Sequence, residues 1–210
     1  MRHQARKTKD DREQMKDDER RYKHKTERII IPKQMNNLNP LIFLVPFIAL
    51  TLVVLLFIYL LKKSDDKVGF KRFVFTTLVL ALLLNLIWEL LQMPLYKGSS
   101  YSIEQIAFCA LASVADAIMV LLIYFCFALV YKNPLWVQNL TAPRIFILML
   151  VGVAGAIVAE MRHLSAGNWA YDKSMPILPG VDVGLSPVLQ FMLLPSFIYY
   201  LSYKRKNNIY

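Results

Sequence analysis

The chain has 210 residues, of which 56% are apolar, with a mean hydropathy of +0.39 and a formal net charge of +10. That apolar share exceeds what a water-facing domain carries, so it excludes an ordinary soluble globule and points to an all-α integral membrane bundle. The charge is no nucleic-acid signal, because residues 1–34 hold 12 Lys or Arg against 7 Asp or Glu and supply half of the net value; no nucleic-acid partner is expected.

Residues 1–34 are polar and charged almost throughout, which leaves nothing to bury and reads as a solvated, disordered tail ahead of one transmembrane domain over 35–210. Five apolar runs follow, at about 40–61, 73–93, 106–131, 145–159 and 187–203. A helix rises about 1.5 Å per residue, so about twenty apolar residues cross the hydrocarbon. The fourth and fifth runs are short by that measure, which predicts ends below the membrane surface. The first run continues into Lys62 and Lys63 and lacks a small-residue cleavage pattern, so it reads as a retained span.

Lys and Arg are unevenly shared among the connections. The first-second loop, the third-fourth loop and the C-terminus carry ten, whereas the opposite loops carry three, Lys97, Arg162 and Lys173. By the positive-inside rule the C-terminus is cytoplasmic. The basic tail would then have to cross, and a translation start at Met35 would resolve that conflict.

Within the second run, Asn85, Trp88, Glu89 and Gln92 recur at i, i+3, i+4 and i+7 and share one helix face. In the third, Cys109, Ala112, Ser113 and Asp116 form a small, polar stripe that lets another helix approach. Asp116 lies about ten residues in, near the midplane, where a carboxylate with no Lys or Arg on its own helix needs a partner elsewhere. Cys109 and Cys126 are 17 residues apart, about 25 Å along one helix, so they cannot pair within it and read as buried, reduced residues.

The fourth run carries Gly152, Ala156, Ala159 and His163 on a small-residue face, plausible as a partner for the Ala112 and Ser113 stripe, with Glu160 beside it. Between the fourth and fifth runs, residues 167–190 contain Trp169, Tyr171, three glycines and prolines at 176, 179 and 187. Such a segment reads as a structured wall or lid, because irregular backbone at membrane depth is tolerated only where protein shields it. Ser186 followed by Pro187 predicts an N-cap and first helical residue for the last span, with Gln190 one turn on.

Glu89, Gln92, Glu160, His163, Ser186 and Gln190 all fall toward one membrane face, and Asp116 reaches the same half from the third span. The predicted ligand site is therefore Asn85, Trp88, Glu89, Gln92, Asp116, Glu160, His163, Trp169, Tyr171, Ser186 and Gln190. Glu89, Asp116 and Glu160 are the candidate acids and bases if the site is catalytic. The bland alternative is equally concrete: Asn85, Gln92 and Gln190 as interhelical glue, Glu160 paired with Arg162 or His163, and Trp88, Trp169 and Tyr171 in an interfacial aromatic belt. No metal-ligand spacing, Walker loop, dinucleotide fingerprint or nucleophile elbow is present, so no metal or cofactor is expected.

The segments "NLIWELLQMPLY" and "NWAYDKSMPILPGVDVGLSPVLQ" resemble a group of small bacterial multi-pass membrane proteins that share a W-E-x-x-Q helix and a W-x-Y, M-P, G-L-S-P-x-L-Q segment. The resemblance covers most of residues 35–205 and implies no activity. In architecture alone the chain is similar to five-span sterol isomerases of the emopamil-binding type and to membrane carotenoid cyclases and hydratases, whose defining motifs it lacks. The expected partners are membrane lipids and a lipid-like or isoprenoid ligand. The competing expectations are a binding or structural role, an acid-base enzyme acting on a lipid or isoprenoid, and, least supported, a transporter, since neither an internal repeat nor a pair of interrupted helices is seen.

Overall fold

The computed structural model describes residues 44–207 together with Lys16. The charged tail and the proposed start at Met35 lie outside the described residues, apart from Lys16.

Among the described residues, five helices are long and apolar enough to cross a membrane. They are α1 (Leu44–Lys63), α2 (Lys67–Gln92), α3 (Ile103–Val130), α4 (Ala142–Ser165) and α5 (Leu185–Asn207). The chain is therefore an all-α, multi-pass integral membrane protein. Exposed apolar side chains such as Phe47, Leu55, Phe75 and Phe146 cover its outside, as a hydrocarbon solvent requires.

Local signals set most of the helix ends. Asp66 caps α2 by accepting from the backbone N–H of Gly69 at 2.7 Å, and Ser102 caps α3 by accepting from that of Gln105. α4 opens with proline in its first turn, where a missing N–H costs nothing. α4 and α5 are longer than their apolar runs. A hydropathy run stops at its first charge, but the helix does not: Glu160, Arg162 and His163 continue α4 to Ser165. The expectation of short fourth and fifth spans is thus corrected.

The expected cap of the last helix is corrected too. α5 already begins at Leu185, whose N–H donates to Pro176 O at 2.7 Å. Ser186 therefore lies inside the first turn, and its hydroxyl turns to Gln92 instead. The strand that precedes it explains this. β1 (Ile177–Leu178) and β2 (Val183–Gly184) form a small antiparallel hairpin that delivers the chain directly into α5.

The helices pack chiefly in the order α1, α3, α2, α5, α4. At the basic end, Phe70, Phe73, Tyr124, Phe125, Trp136 and Tyr199 form a buried aromatic core. Its polar atoms are satisfied internally: Trp136 Nε1 donates to Tyr124 O at 3.2 Å, Tyr199 OH to Val120 O at 2.6 Å, and Tyr124 OH to Pro134 O. Arg144 stacks its guanidinium 4.3 Å from the Tyr131 ring centre and donates to Asn139 O, which ties the start of α4 to this core. Cys109 is buried as expected, whereas Cys126 is exposed on the outer face of α3, because position 126 falls on the lipid side of a helix whose inner face is taken by Tyr124, Phe125 and Phe127.

The small face of α4 does meet another helix, but that helix is α5, not the Ala112 and Ser113 stripe of α3. The reason is a backbone fit. Pro195 inside α5 has no N–H, so the carbonyl of Phe191, four residues back, lacks its helical partner. Gly152 of α4 sits against that carbonyl, and a Cβ at position 152 would lie 2.1 Å from Phe191 O. Only glycine permits this approach, which suits a Cα–H···O contact between spans.

Gly152→Ala should therefore push α4 off α5 and destabilise the protein by roughly 1–3 kcal/mol, the usual cost of overpacking. Gly155, with nothing within 4 Å of its would-be Cβ, is the control. Thermal unfolding of both alanine variants in one detergent checks this: a lowered midpoint for Gly152→Ala alone is expected, and equal midpoints contradict the fit.

Candidate functional site

At the end of the bundle opposite the aromatic core, α2, α3 and α5 present polar side chains to one another. Gln190 of α5, buried at 2% exposure, is their junction. Its Nε2 donates to Asn85 Oδ1 and to Asp116 Oδ2, both at 2.9 Å, and its Oε1 accepts from Gln92 Nε2 at 3.4 Å. Gln92 also donates to Glu89 Oε1 at 2.9 Å and accepts from Ser186 Oγ at 2.8 Å. Asn85 completes its amide by donating to Ala81 O, one turn back on α2. The 85, 89 and 92 spacing on α2 thus does what helical periodicity dictates, placing three polar groups where α5 approaches.

The carboxyl groups of Glu89 and Asp116 lie side by side within interaction range, and Glu160 is close enough for its charge to reach both. Ser113, on the same face of α3 as Asp116, spends its hydroxyl on Cys109 O at 2.7 Å, so the upper part of that stripe is structural. Among the described residues no group of three His, Cys, Asp or Glu side chains is arranged to hold a metal ion.

The 167–184 part of the segment is fastened along two edges, to α4 and to the chain that follows α2. Glu160, buried near the end of α4, accepts from Trp169 Nε1 at 3.2 Å and from the Tyr171 hydroxyl on the same carboxylate oxygen. Two rings of the segment are thereby fastened to α4. Trp169 stacks on His163, with ring centres 4.3 Å apart and planes inclined by 20°, while His163 Nδ1 meets Asn168 Nδ2 at 2.7 Å.

Backbone pairing fastens the other edge. Tyr96 and Tyr171 form an antiparallel bridge, Lys97 N donates to Ala170 O at 2.8 Å, and Asp172 N donates to Leu95 O at 2.9 Å. A Cβ at Gly184 would meet Met175 Sδ at 2.9 Å and Tyr171 Cζ at 3.0 Å, so the segment's side chains close tightly over this position. Burial pushes the Tyr96 and Tyr171 phenols above their ordinary range, so both keep their protons at neutral pH and Tyr171 remains a donor to Glu160. The Ser174 backbone N–H and hydroxyl hold Asp172, on the outside of the same turn, below the usual carboxylate range.

The structure brings together Asn85, Glu89, Gln92, Asp116, Ser186 and Gln190 in one network, and Glu160, His163, Trp169 and Tyr171 in the adjoining wall. Trp88 joins neither: its indole Nε1 is buried without a hydrogen-bond partner, and the ring faces α5 and α4 below the network. Glu160 takes its hydrogen bonds from Trp169 and Tyr171 instead of pairing with Arg162 or His163. Tyr96 and Asn168 were not singled out from the sequence. Tyr96 directly follows the helix-ending "QMPL", and an aromatic residue just past a proline-marked helix end is the signal that would have found it.

No family profile, curated protein or solved structure matches the chain.

Loss of the Tyr171 hydroxyl should loosen the wall. With Cys109→Ala and Cys126→Ala as background, a cysteine placed at buried Met175 should react with a water-soluble maleimide about tenfold faster when Tyr171→Phe is added, the scale of one lost hydrogen bond to a buried carboxylate. An unchanged rate would mean the backbone pairing at Tyr96 alone secures the segment.

Proposed function

We propose that this protein binds a small lipid-like ligand at the polar network beneath the 167–184 wall. It does so as a multi-pass protein of the bacterial plasma membrane, with its C-terminus cytoplasmic. The carrying observation is an imbalance of hydrogen-bonding capacity. A carboxylate offers about four acceptor positions. Glu89 and Asp116 each accept one amide hydrogen bond and otherwise face each other, and Glu160 receives two on a single oxygen. A network serving only as glue would match donors to acceptors, since unmet polar groups inside a membrane are costly. The surplus of acceptors supports a ligand that brings donors, a hydroxyl or an amine, on an otherwise apolar body.

The distribution of Lys and Arg supports the orientation. The likeness of residues 85–96 and 168–190 to the group of small bacterial membrane proteins supports the location.

A second reading has one observation in its favour. Glu89 and Asp116 lie side by side, with Gln190 and Gln92 orienting them, and a carboxyl pair of this kind can take a proton from a bound lipid or isoprenoid and return it elsewhere. Glu160 would then hold the substrate's polar end. Binding is the reading we adopt, because it needs only the acceptor surplus.

Mass spectrometry of extracts from purified protein tests this. The expected result is a hydroxyl- or amine-bearing amphiphile enriched over bulk membrane lipid. Glu89→Gln and Asp116→Asn keep size and hydrogen bonding, so both should fold with unfolding midpoints equal to or above the parent's, since removing a buried charge removes its desolvation cost. Each should lower retention of that molecule by about tenfold, the effect of one charged hydrogen bond. No enriched molecule, or full retention by both variants, contradicts the binding reading, while conversion of the retained molecule by the parent alone would favour the acid-base one.

A further inference from the structure

Tyr96 follows the end of α2, one turn beyond Gln92 and two beyond Glu89 in sequence. Its backbone is held from both sides. The N–H donates to Met93 O at 3.1 Å, the carbonyl accepts from Ser99 N at 3.3 Å, and the residue forms the antiparallel bridge to Tyr171. The ring is held as well: it meets the Trp169 ring edge-on, with centres 6.3 Å apart and planes at 87°, and its centre lies 5.6 Å from that of Tyr171. Trp169 and Tyr171 are the two side chains that donate to Glu160. The Tyr96 phenol is thereby placed between Glu89 of α2 and Glu160 of α4, and the charges of Glu160, Glu89 and Asp116 all reach it.

Its hydroxyl is the exception at this end of the bundle. Tyr101 donates to Leu90 O at 3.1 Å and Tyr171 donates to Glu160, but the Tyr96 hydroxyl makes no hydrogen bond among the described residues. A phenol packed among rings and carboxyl groups usually finds a partner. Nor is it a phenolate, because burial first, and then the charges of Glu160 and Glu89, hold its proton on. Tyr96 is therefore an O–H donor that faces three acceptors and is bonded to none.

That gap restricts what fills it. A head group joining the Tyr96 O–H to the Glu89 or Glu160 carboxylate must accept from the first and donate to the second. A hydroxyl does both through one atom. A protonated amine has donors and no acceptor, an ether or ester has acceptors only, and a carboxylate or phosphate would face three groups of its own charge. We propose that Tyr96 is a specificity-determining residue of the site, and that the ligand's polar end is a hydroxyl that accepts from Tyr96 and donates to the carboxyl groups. The inference rests on the binding reading above and narrows its hydroxyl-or-amine head to an alcohol. Water has the same two capacities, and with water in the gap Tyr96 would contribute nothing to the choice of ligand.

The test uses the full chain in vesicles of phosphatidylcholine and phosphatidylglycerol, with one of six tritiated probes. Three share a straight body, hexadecanol, hexadecylamine and hexadecyl methyl ether, and three share an isoprenoid body, geranylgeraniol, geranylgeranylamine and geranylgeranyl methyl ether. Each trio holds the apolar part constant and changes only the head. Probe that stays with the protein through detergent extraction and gel filtration is counted. For at least one body the alcohol should be retained about fivefold above its amine and its ether, the scale of one neutral hydrogen bond.

Tyr96→Phe keeps the ring, its packing on Trp169 and Tyr171, and the backbone bridge. It should bring retention of the alcohol down about fivefold, to the level of the amine, and leave the amine unchanged. Tyr101→Phe, which removes a phenol already bonded to Leu90 O, should leave both unchanged. An amine or ether retained as strongly as its alcohol overturns the inference and leaves the binding reading standing. Alcohol retention untouched by Tyr96→Phe does the same, since water then fills the gap. Equal loss of alcohol and amine in that variant marks a structural residue and also overturns the inference. If the variant does not fold, the parent's ranking of the three heads decides alone. No retention of any of the six probes by the parent overturns the inference and the binding reading together.

Discussion

The bilayer interior supplies no water to a polar group, so every amide and carboxyl carried into it must find a partner within the protein. Gln190 is where that requirement is met for three helices at once. Its two N–H bonds reach Asn85 on α2 and Asp116 on α3, and its oxygen accepts from Gln92. Hydrogen bonds between spans are individually modest, averaging about 0.6 kcal/mol and reaching about 1.7. Their contribution here is directional: α5 can rotate or slide against α2 only by breaking several together. Leucine packing, which resembles the surrounding lipid, gives no such register.

A second constraint fixes α4, which packs chiefly on α5. Pro195 removes one N–H from α5 and leaves the Phe191 carbonyl without its helical donor, and Gly152 supplies the only side chain small enough to come against it. Ala156, Val183 and Val188 then close the same seam with apolar contacts. With α4 seated, Glu160 is delivered to the edge of the network, where Trp169 and Tyr171 bind it and draw the 167–184 segment across. One backbone fit therefore positions both the wall and the third carboxylate.

Much of this was legible in the sequence because it follows from period and composition. Twenty-residue apolar runs identify the spans, and the 85, 89, 92 spacing identifies the polar face of α2. Ser186 and Gln190 were placed on the returning helix, and 167–190 was read as shielded backbone. The errors share a cause, since each required knowing which helix lies next to which. Gly152 was matched to the Ala112 stripe because small residues suit small residues, but the Phe191 carbonyl exposed by Pro195 is a backbone feature that no side-chain pattern reports. Ser186 has the local signature of a cap, and the hairpin strand at Val183–Gly184 overrode it by starting the helix earlier. Cys126 was taken as buried from its residue type, although its position places it toward lipid. Tyr96 was passed over because its role comes from an antiparallel bridge to a residue 75 positions away.

The central claim is that Gln190 couples three helices through its amide, and a double-mutant cycle measures that coupling directly. Unfolding free energies in one detergent would be compared for the parent, Gln190→Met, Asp116→Leu and the double variant, with Gln190→Met paired likewise with Asn85→Leu. Each cycle should return a coupling of roughly 0.5–1.5 kcal/mol, the range found for hydrogen bonds between spans. Coupling near zero in both cycles would contradict the account, because the side chains of α2, α3 and α5 would then be neighbours without being joined.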